Sequence, residues 1–203
     1  LWVKAGSVNE GKLLGGGVTH FVEHLAFKGP VGELKGKIPA RIESLGGDVN
    51  AYTSFEKTVF LVKVPSRHWK EALDLLRLLV LEVDFQEAEV KTEREVILKE
   101  INMGMDEPSR RLSRLLWSTA FRVHPYRYPV IGYRQIFKKI SREELVDYYR
   151  KWYVPNNMIL AVAGDVGRDE FLAEAEALFG PYPRRPYPTA DIPPEPPQLG
   201  ERK

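Results

Sequence analysis

The stretch Gly15-Gly16-Gly17-Val18-Thr19-His20-Phe21-Val22-Glu23-His24-Leu25-Ala26-Phe27 constrains this chain more than any other. As a helix it sets His20, Glu23 and His24 three and four residues apart on one face. At ~100° per residue, Val18, Phe21, Val22 and Leu25 point the other way. The helix therefore has an apolar back, which must be buried, and a front of two imidazoles and a carboxylate. The glycines before it give the backbone freedom to enter a crowded place.

Two imidazoles one helical turn apart can reach a single metal ion at ~2.0–2.1 Å each. Glu23 then stands beside the ion rather than on it, where a general base belongs, ready to take a proton from a water attacking a carbonyl. Zinc makes this workable near neutral pH by lowering the pKa of a water to about 7. The order His-x-x-Glu-His is one of the zinc peptidase signatures. The competing reading is a helix with two surface histidines and a capping acid. A catalytic zinc also needs a third protein ligand and one open position, so another donor must come from elsewhere in the chain.

With 203 residues the chain is long enough for one large domain and short for two. It has no cysteine, which removes disulfides, thiolate metal sites and cysteine nucleophiles together. That fits a reducing compartment, and a cytoplasmic location is the expectation. A net charge of +2 is too small to argue for nucleic acid or an anionic membrane as partner. Lys138-Lys139 and Arg184-Arg185 read as surface charge. No run approaches the length of a transmembrane helix, and no charged-then-apolar leader opens the chain. Residues 1–6 read like the middle of a strand, and the natural chain is expected to begin earlier.

The remaining elements follow from periodicity and breakers. A breaker cluster at 28–32 precedes a short helix at 38–45, which Gly46-Gly47 stops. Residues 48–54 and 58–64 read as a hairpin around Phe55-Glu56-Lys57. Residues 66–80 carry a helical apolar pattern, with His68 read as structural. A helix at 109–121 is expected to turn Leu112, Leu115, Leu116 and Phe121 inward. His124, in a proline-flanked loop, reads as a packing or capping residue. Ser141-Arg142-Glu143-Glu144 is a capping-box start for a helix to about Tyr153. The apolar run 158–164 reads as a buried central strand, and a helix follows at 168–179. Eight of the fifteen prolines lie in 181–197, so the expected division is a domain at 1–180 and a stiff linker or tail at 181–203.

The helix at 86–105 carries an anomaly. Glu93 and Glu100 stand two turns apart on the same stripe as Val90, Val96 and Ile97. Carboxylates on an apolar stripe are expensive unless they are paired or bind a metal. Either one can complete a His-His-Glu site; the alternative is that both pair with lysine or arginine.

The chain resembles the first domain of the pitrilysin-family zinc metallopeptidases, the group that includes mitochondrial processing peptidase and insulin-degrading enzyme. The resemblance rests on Gly17-Val18-Thr19-His20-Phe21-Val22-Glu23-His24, on 45–54 (Leu-Gly-Gly-Asp-Val-Asn-Ala-Tyr-Thr-Ser), on Glu93 to Ile101, on His124-Pro125-Tyr126 and on Asn156-Asn157-Met158. It implies that His20, His24 and Glu100 ligate Zn2+ and that Glu23 is the catalytic base. It implies that Glu93 is a supporting acid near the ligands. Asn50, Ala51 and Tyr52 match an edge strand that receives substrate in extended form. Family members pair two related halves as a clamshell, so a second homologous domain or subunit is the expected partner.

The expected activity is that of a zinc endopeptidase acting on extended or unfolded peptides, without a covalent intermediate. The competing class is a non-catalytic or partner-dependent subunit that holds peptide. The expected fold is α+β: a mixed, mostly antiparallel sheet with helices mainly on one face, and the helices at 18–28 and 87–104 side by side.

Overall fold

A computed structural model of the chain describes residues 1–30, 32–189 and 191–201. Val31, within the expected breaker cluster, and Ala190, Arg202 and Lys203, within the expected tail, lie outside the described residues. Four strands form one sheet: β1 (Trp2–Val3), β2 (Asp48–Thr53), β3 (Thr58–Lys63) and β4 (Met158–Ile159), in the order β2-β3-β1-β4. All its pairings are antiparallel among the described residues.

The hairpin β2–β3 pairs Ala51 with Phe60 and Val49 with Val62. Alternation sends these four side chains to the face where the core lies, and sends Asp48, Asn50 and Tyr52 outward. Helices α1 (Val18–Ala26), α2 (Ile38–Ser44) and α3 (Trp69–Leu81) cover that inner face. Val18, Phe21, Val22 and Leu25 are fully buried there. At about 1.5–3 kcal/mol for each such side chain, this apolar back anchors α1. Helix α4 (Glu87–Asp106) lies beside α1, with Val90, Ile97 and Ile101 of its apolar stripe buried. Arg94 on α4 ties the two to the next segment: its guanidinium donates to the carbonyls of Phe137 and Ile140 and faces the rings of Phe21 and Phe137.

Helices α5 (Pro108–Ala120), α6 (Arg134–Phe137), α7 (Arg142–Trp152) and α8 (Arg168–Phe179) complete the chain. The capping box at Ser141 and Glu144 forms as its spacing predicts. His124 caps a turn, its Nδ1 accepting from the N–H of Tyr126. His68 stands at the start of α3.

Two expectations are corrected. Leu112, Leu115 and Leu116 on α5 do not face inward; they are 69%, 61% and 61% exposed. Helical spacing shows that an apolar stripe exists, not what covers it. Here the side of α5 bearing Arg110, Arg114 and Trp117 faces the body instead. The run 158–164 is not a central strand: only 158–159 pair, at the sheet edge, and Ile159 and Val162 are half-exposed. A continuous apolar run suits a strand covered on both faces, but β4 has a neighbour on one side only among the described residues.

The proline-rich segment runs along the body. Asn156 and Arg185 exchange hydrogen bonds of 2.9 and 3.0 Å. The Glu195 carboxylate accepts from the backbone N–H groups of Arg122, Val123 and His124.

Candidate metal centre

The start of α1 determines where the two imidazoles stand. Its first N–H groups have no partner within the helix, and Gly17, in the N-cap position, has no side chain to satisfy them. Glu10 does so from the preceding loop: its Oε2 accepts from Gly17 N and its Oε1 from Thr19 N, both at 3.1 Å. The carboxyl group also sits at the positive end of the helix dipole, which favours its charged form. Thr19 Oγ1 lies 3.1 Å from the Gly6 carbonyl oxygen and 2.7 Å from the Tyr148 hydroxyl, linking the helix to the loop before it and to α7.

Glu10 is almost completely enclosed. Burial pushes its carboxyl up to about 8, against the pull of the Thr19 and Gly17 N–H donors. A raised pKa means the native chain binds the proton more tightly than the unfolded chain. The stabilisation is complete below the unfolded value of 4.5 and is lost as pH rises through about 8. Chemical denaturation across that window should show the wild type losing on the order of 2–4 kcal/mol relative to Glu10→Gln, which has no such proton to lose. Parallel pH profiles for the two proteins would disprove this.

Three donors converge between α1 and α4. His20, His24 and Glu100 each offer a ligand atom, and these atoms lie within 4.8 Å of one another. Glu100 Oε2 stands 3.9 Å from His20 Nε2 and 3.7 Å from His24 Nε2. Ligand atoms around a tetrahedral zinc with ~2.0–2.2 Å bonds stand ~3.3–3.6 Å apart, so a small contraction fits these residues to the ion. The His20 and His24 rings meet edge to face at 4.6 Å.

Glu93 takes a different place from Glu100. One of its oxygens is 3.1 Å from His24 Nδ1 and the other is 2.6 Å from Lys28 Nζ. A carboxylate on the second ring nitrogen is the usual support of a metal-ligating histidine, and it orients the ring. Position separates the two acids of α4: Glu100 reaches both Nε2 atoms, and Glu93 reaches the back of one ring. His20 Nδ1 is buried without a hydrogen-bond partner among the described residues.

Glu23 is buried beside the cluster, and its Oε2 accepts a hydrogen bond from the Thr53 hydroxyl on β2. Burial raises its pKa, opposed by the Thr53 bond and by His24. Burial lowers the pKa of His20 to about 4, with neighbouring His24 adding to the effect. Burial also works against charge on His24, but bonds to Glu100 and Glu93 and the nearby Glu23 outweigh it and raise its pKa to about 9. Glu100 and Glu93 are held below the usual carboxylate range, chiefly by His24. Three carboxylates directed at two imidazoles make a field that favours a cation.

Asn50, Ala51 and Tyr52 lie on β2, the edge strand, which packs against α1. Leu1 and Phe60 exchange both main-chain bonds, so Ala51, paired with Phe60, turns its own N–H and C=O to the open edge. The Asn50 side-chain oxygen accepts from that N–H at 2.8 Å. Thr53, Lys28 and Glu10 join the site from outside its sequence motif. Each lies far along the chain from the group it contacts or in an aperiodic loop, and only an isolated acid before a helix start could have drawn attention to Glu10.

The family model described as "Insulinase (Peptidase family M16)" matches residues 1–134, and that of "Peptidase M16 inactive domain" matches 139–203. An uncharacterized zinc protease of Bacillus subtilis, YmxG, is 32% identical over 182 residues, covering 90% of this chain and 44% of that protein. The human mitochondrial-processing peptidase subunit beta is 35% identical over 180 residues, covering 89% of this chain and 37% of that protein. The crystal structure of a protease from Helicobacter pylori superposes with a TM-score of 0.92 at 27% identity, over 99% of this chain and 49% of that one. The first half of the periplasmic protease PqqL from Escherichia coli superposes at 0.82 and 26% identity, over 96% of this chain and 43% of that one. The chain thus spans less than half the length of these relatives. With the matched family model covering most of its length and a His-x-x-Glu-His helix within the matched part, the chain belongs to the insulinase-type peptidases, family M16.

Proposed function

We propose that this chain is the zinc-holding part of an endopeptidase that hydrolyses extended or unfolded peptides. The convergence of His20, His24 and Glu100 from two helices, with Glu23 beside them, carries the reading. The donor set suits zinc, and His20 Nε2, His24 Nε2 and Glu100 would hold it. Zinc, when bound, supplies a Lewis acid that polarises a carbonyl and makes water acidic enough to attack near neutral pH.

The chain's own residues do the rest. Thr53 occupies Glu23 Oε2 and leaves Oε1 to receive the proton of the attacking water and pass it to the leaving amine. The same bond holds the carboxylate in one orientation. Glu93, anchored by Lys28, steadies His24 through Nδ1. A peptide adding to β2 would bond the main chain around Ala51, displacing the Asn50 amide from the Ala51 N–H, while Tyr52 projects from the outer face.

A partner-dependent reading is supported by the bare apolar stripe of α5 and by the length of the relatives. In that reading the chain holds zinc and peptide, and a second homologous domain or subunit completes the enzyme. Zinc-dependent cleavage of an unstructured reporter peptide, by the chain alone and with a second half added, separates the two. Cleavage in neither case sinks the enzyme reading. Glu100→Gln should weaken zinc binding by at least about 100-fold, since one charged ligand of three is lost. Competition with a zinc chelator measures this, and an unchanged affinity would remove Glu100 from the ligand set.

A further inference from the structure

A cleft of about 370 Å3 opens beside the donor cluster, between α4, α5 and residues 127–132. Glu100 lines both. Its Oε2 faces the imidazoles, and its Oε1 lies 3.6 Å from Arg110 Nη1 at the cleft. The cleft surface is largely apolar, with Phe55, Met105 and Trp117 among its walls. Phe55, two residues beyond Thr53, lines the cleft, so the cleft lies off the end of the edge strand at which the Thr53 hydroxyl bonds Glu23.

Three guanidinium groups line this apolar cleft: Arg110, Arg114 and Arg127. Arg110 is neutralised by Glu107 at 2.7 Å. The other two are held without a carboxylate. Arg114 donates to the Met105 sulfur at 2.9 Å and lies 4.7 Å from the centre of the Tyr133 ring. Arg127 donates to the Arg122 carbonyl and lies 5.5 Å from the Tyr128 ring. Among the described residues neither has an acidic group within ion-pair distance. A guanidinium has five N–H donors, and a sulfur, a carbonyl or a ring face uses few of them. Both charges are thus held in place by weak neutral contacts, with donors to spare, in a cleft that would exclude water once filled.

We propose that this cleft receives an acidic side chain of the bound peptide, close to the bond to be cut. The methylenes of a glutamate would lie along Trp117 and Phe55, and its carboxylate would take the free donors of Arg114 and Arg127. A lysine or arginine at that position would meet like charge. The proposal rests on the peptidase reading for what the peptide is doing there, but the charge preference is a binding property that can be measured without turnover.

The test uses the zinc-loaded chain carrying Glu23→Gln, so that peptides survive, and end-labelled unstructured octapeptides differing at a single position, Glu, Gln or Lys. Fluorescence anisotropy should show, at one position, the Glu peptide binding at least about fivefold tighter than the Lys peptide, a preference that shrinks as salt is raised. Arg114→Glu should reverse the order, and Arg127→Glu provides the same reversal should the first variant not fold. Equal affinities for the three peptides at every position, or an order unchanged by both reversals, overturns the proposal. If the Glu preference holds while no Glu23-containing protein cleaves any peptide, the acidic subsite stands and the peptidase reading fails.

Discussion

Glu23→Gln should reduce peptide hydrolysis by about 10²–10⁴-fold while leaving bound zinc and the fold unchanged. Glutamine has nearly the shape of glutamate and can still accept the Thr53 hydrogen bond, so the side chain stays where it is. It cannot take a proton from water at neutral pH. Glu23 is not in the donor cluster; His20, His24 and Glu100 are. The loss should therefore fall on kcat rather than on metal content. Removing a buried carboxyl whose pKa is raised by desolvation should not destabilise the fold, and thermal unfolding of the variant should match or exceed wild type. Activity within threefold of wild type, at roughly full zinc occupancy, would dismiss Glu23 as the base.

The second large effect is structural. Gly17→Ala should cost about 4 kcal/mol or more and lower Tm by roughly 10 °C. Gly17 has φ +75°, a left-handed conformation that alanine adopts only with strain. A Cβ there would lie 2.2 Å from the carbonyl oxygen of Ile131, a backbone atom that has nowhere to go. Gly132 is the mirror of this contact, with φ +84° and a would-be Cβ 2.4 Å from the carbonyl carbon of Gly16. The two loops press backbone against backbone, and Tyr133 N donates to Gly15 O at 2.7 Å beside them. Gly11 supplies the control: its φ is +55°, but a Cβ would meet nothing within 4 Å. Gly11→Ala should cost only about 1 kcal/mol, the conformational part alone. Equal losses for the two variants in thermal or denaturant unfolding would show that the close approach at Gly17 carries no energy.

The fate of Glu93 and Glu100 shows how much of the site could be read from residue order. Both sit on one stripe of α4, and on an apolar stripe both are costly acids. Periodicity could not choose between them, because residues seven apart share a face. They differ only in height, ~10.5 Å along the helix axis, and height means nothing until α1 is laid alongside. Once it is, Glu100 is level with both Nε2 atoms, and Glu93 is level with Lys28 and the far nitrogen of His24.

Glu10 and α5 mark the limits in the other direction. The Glu10 carboxyl group carries the first N–H groups of the motif helix, yet its one mark in the sequence is that of an isolated acid in a glycine-rich loop, which is usually solvated. On α5 the apolar spacing of Leu112, Leu115 and Leu116 is sound helix grammar, and the helix is there. Its direction is the reverse of the one that spacing suggests, because an arginine can turn inward when a ring and a sulfur receive it.

What residue order determined by itself is whatever acts within one or two helical turns or one hairpin: the His-x-x-Glu-His face, the β2–β3 pair, the Ser141 cap and the acids set on an apolar stripe. These follow from bond geometry, 3.6 residues per turn and two per pleat, and need no distant partner. Only the tertiary structure decided which acid meets the imidazoles, which carboxylate holds the start of α1, which strand is left at the edge and which face of α5 is covered. Each of those depends on groups tens of residues apart being brought into contact, and the free energy that selects among the arrangements belongs to the packed whole.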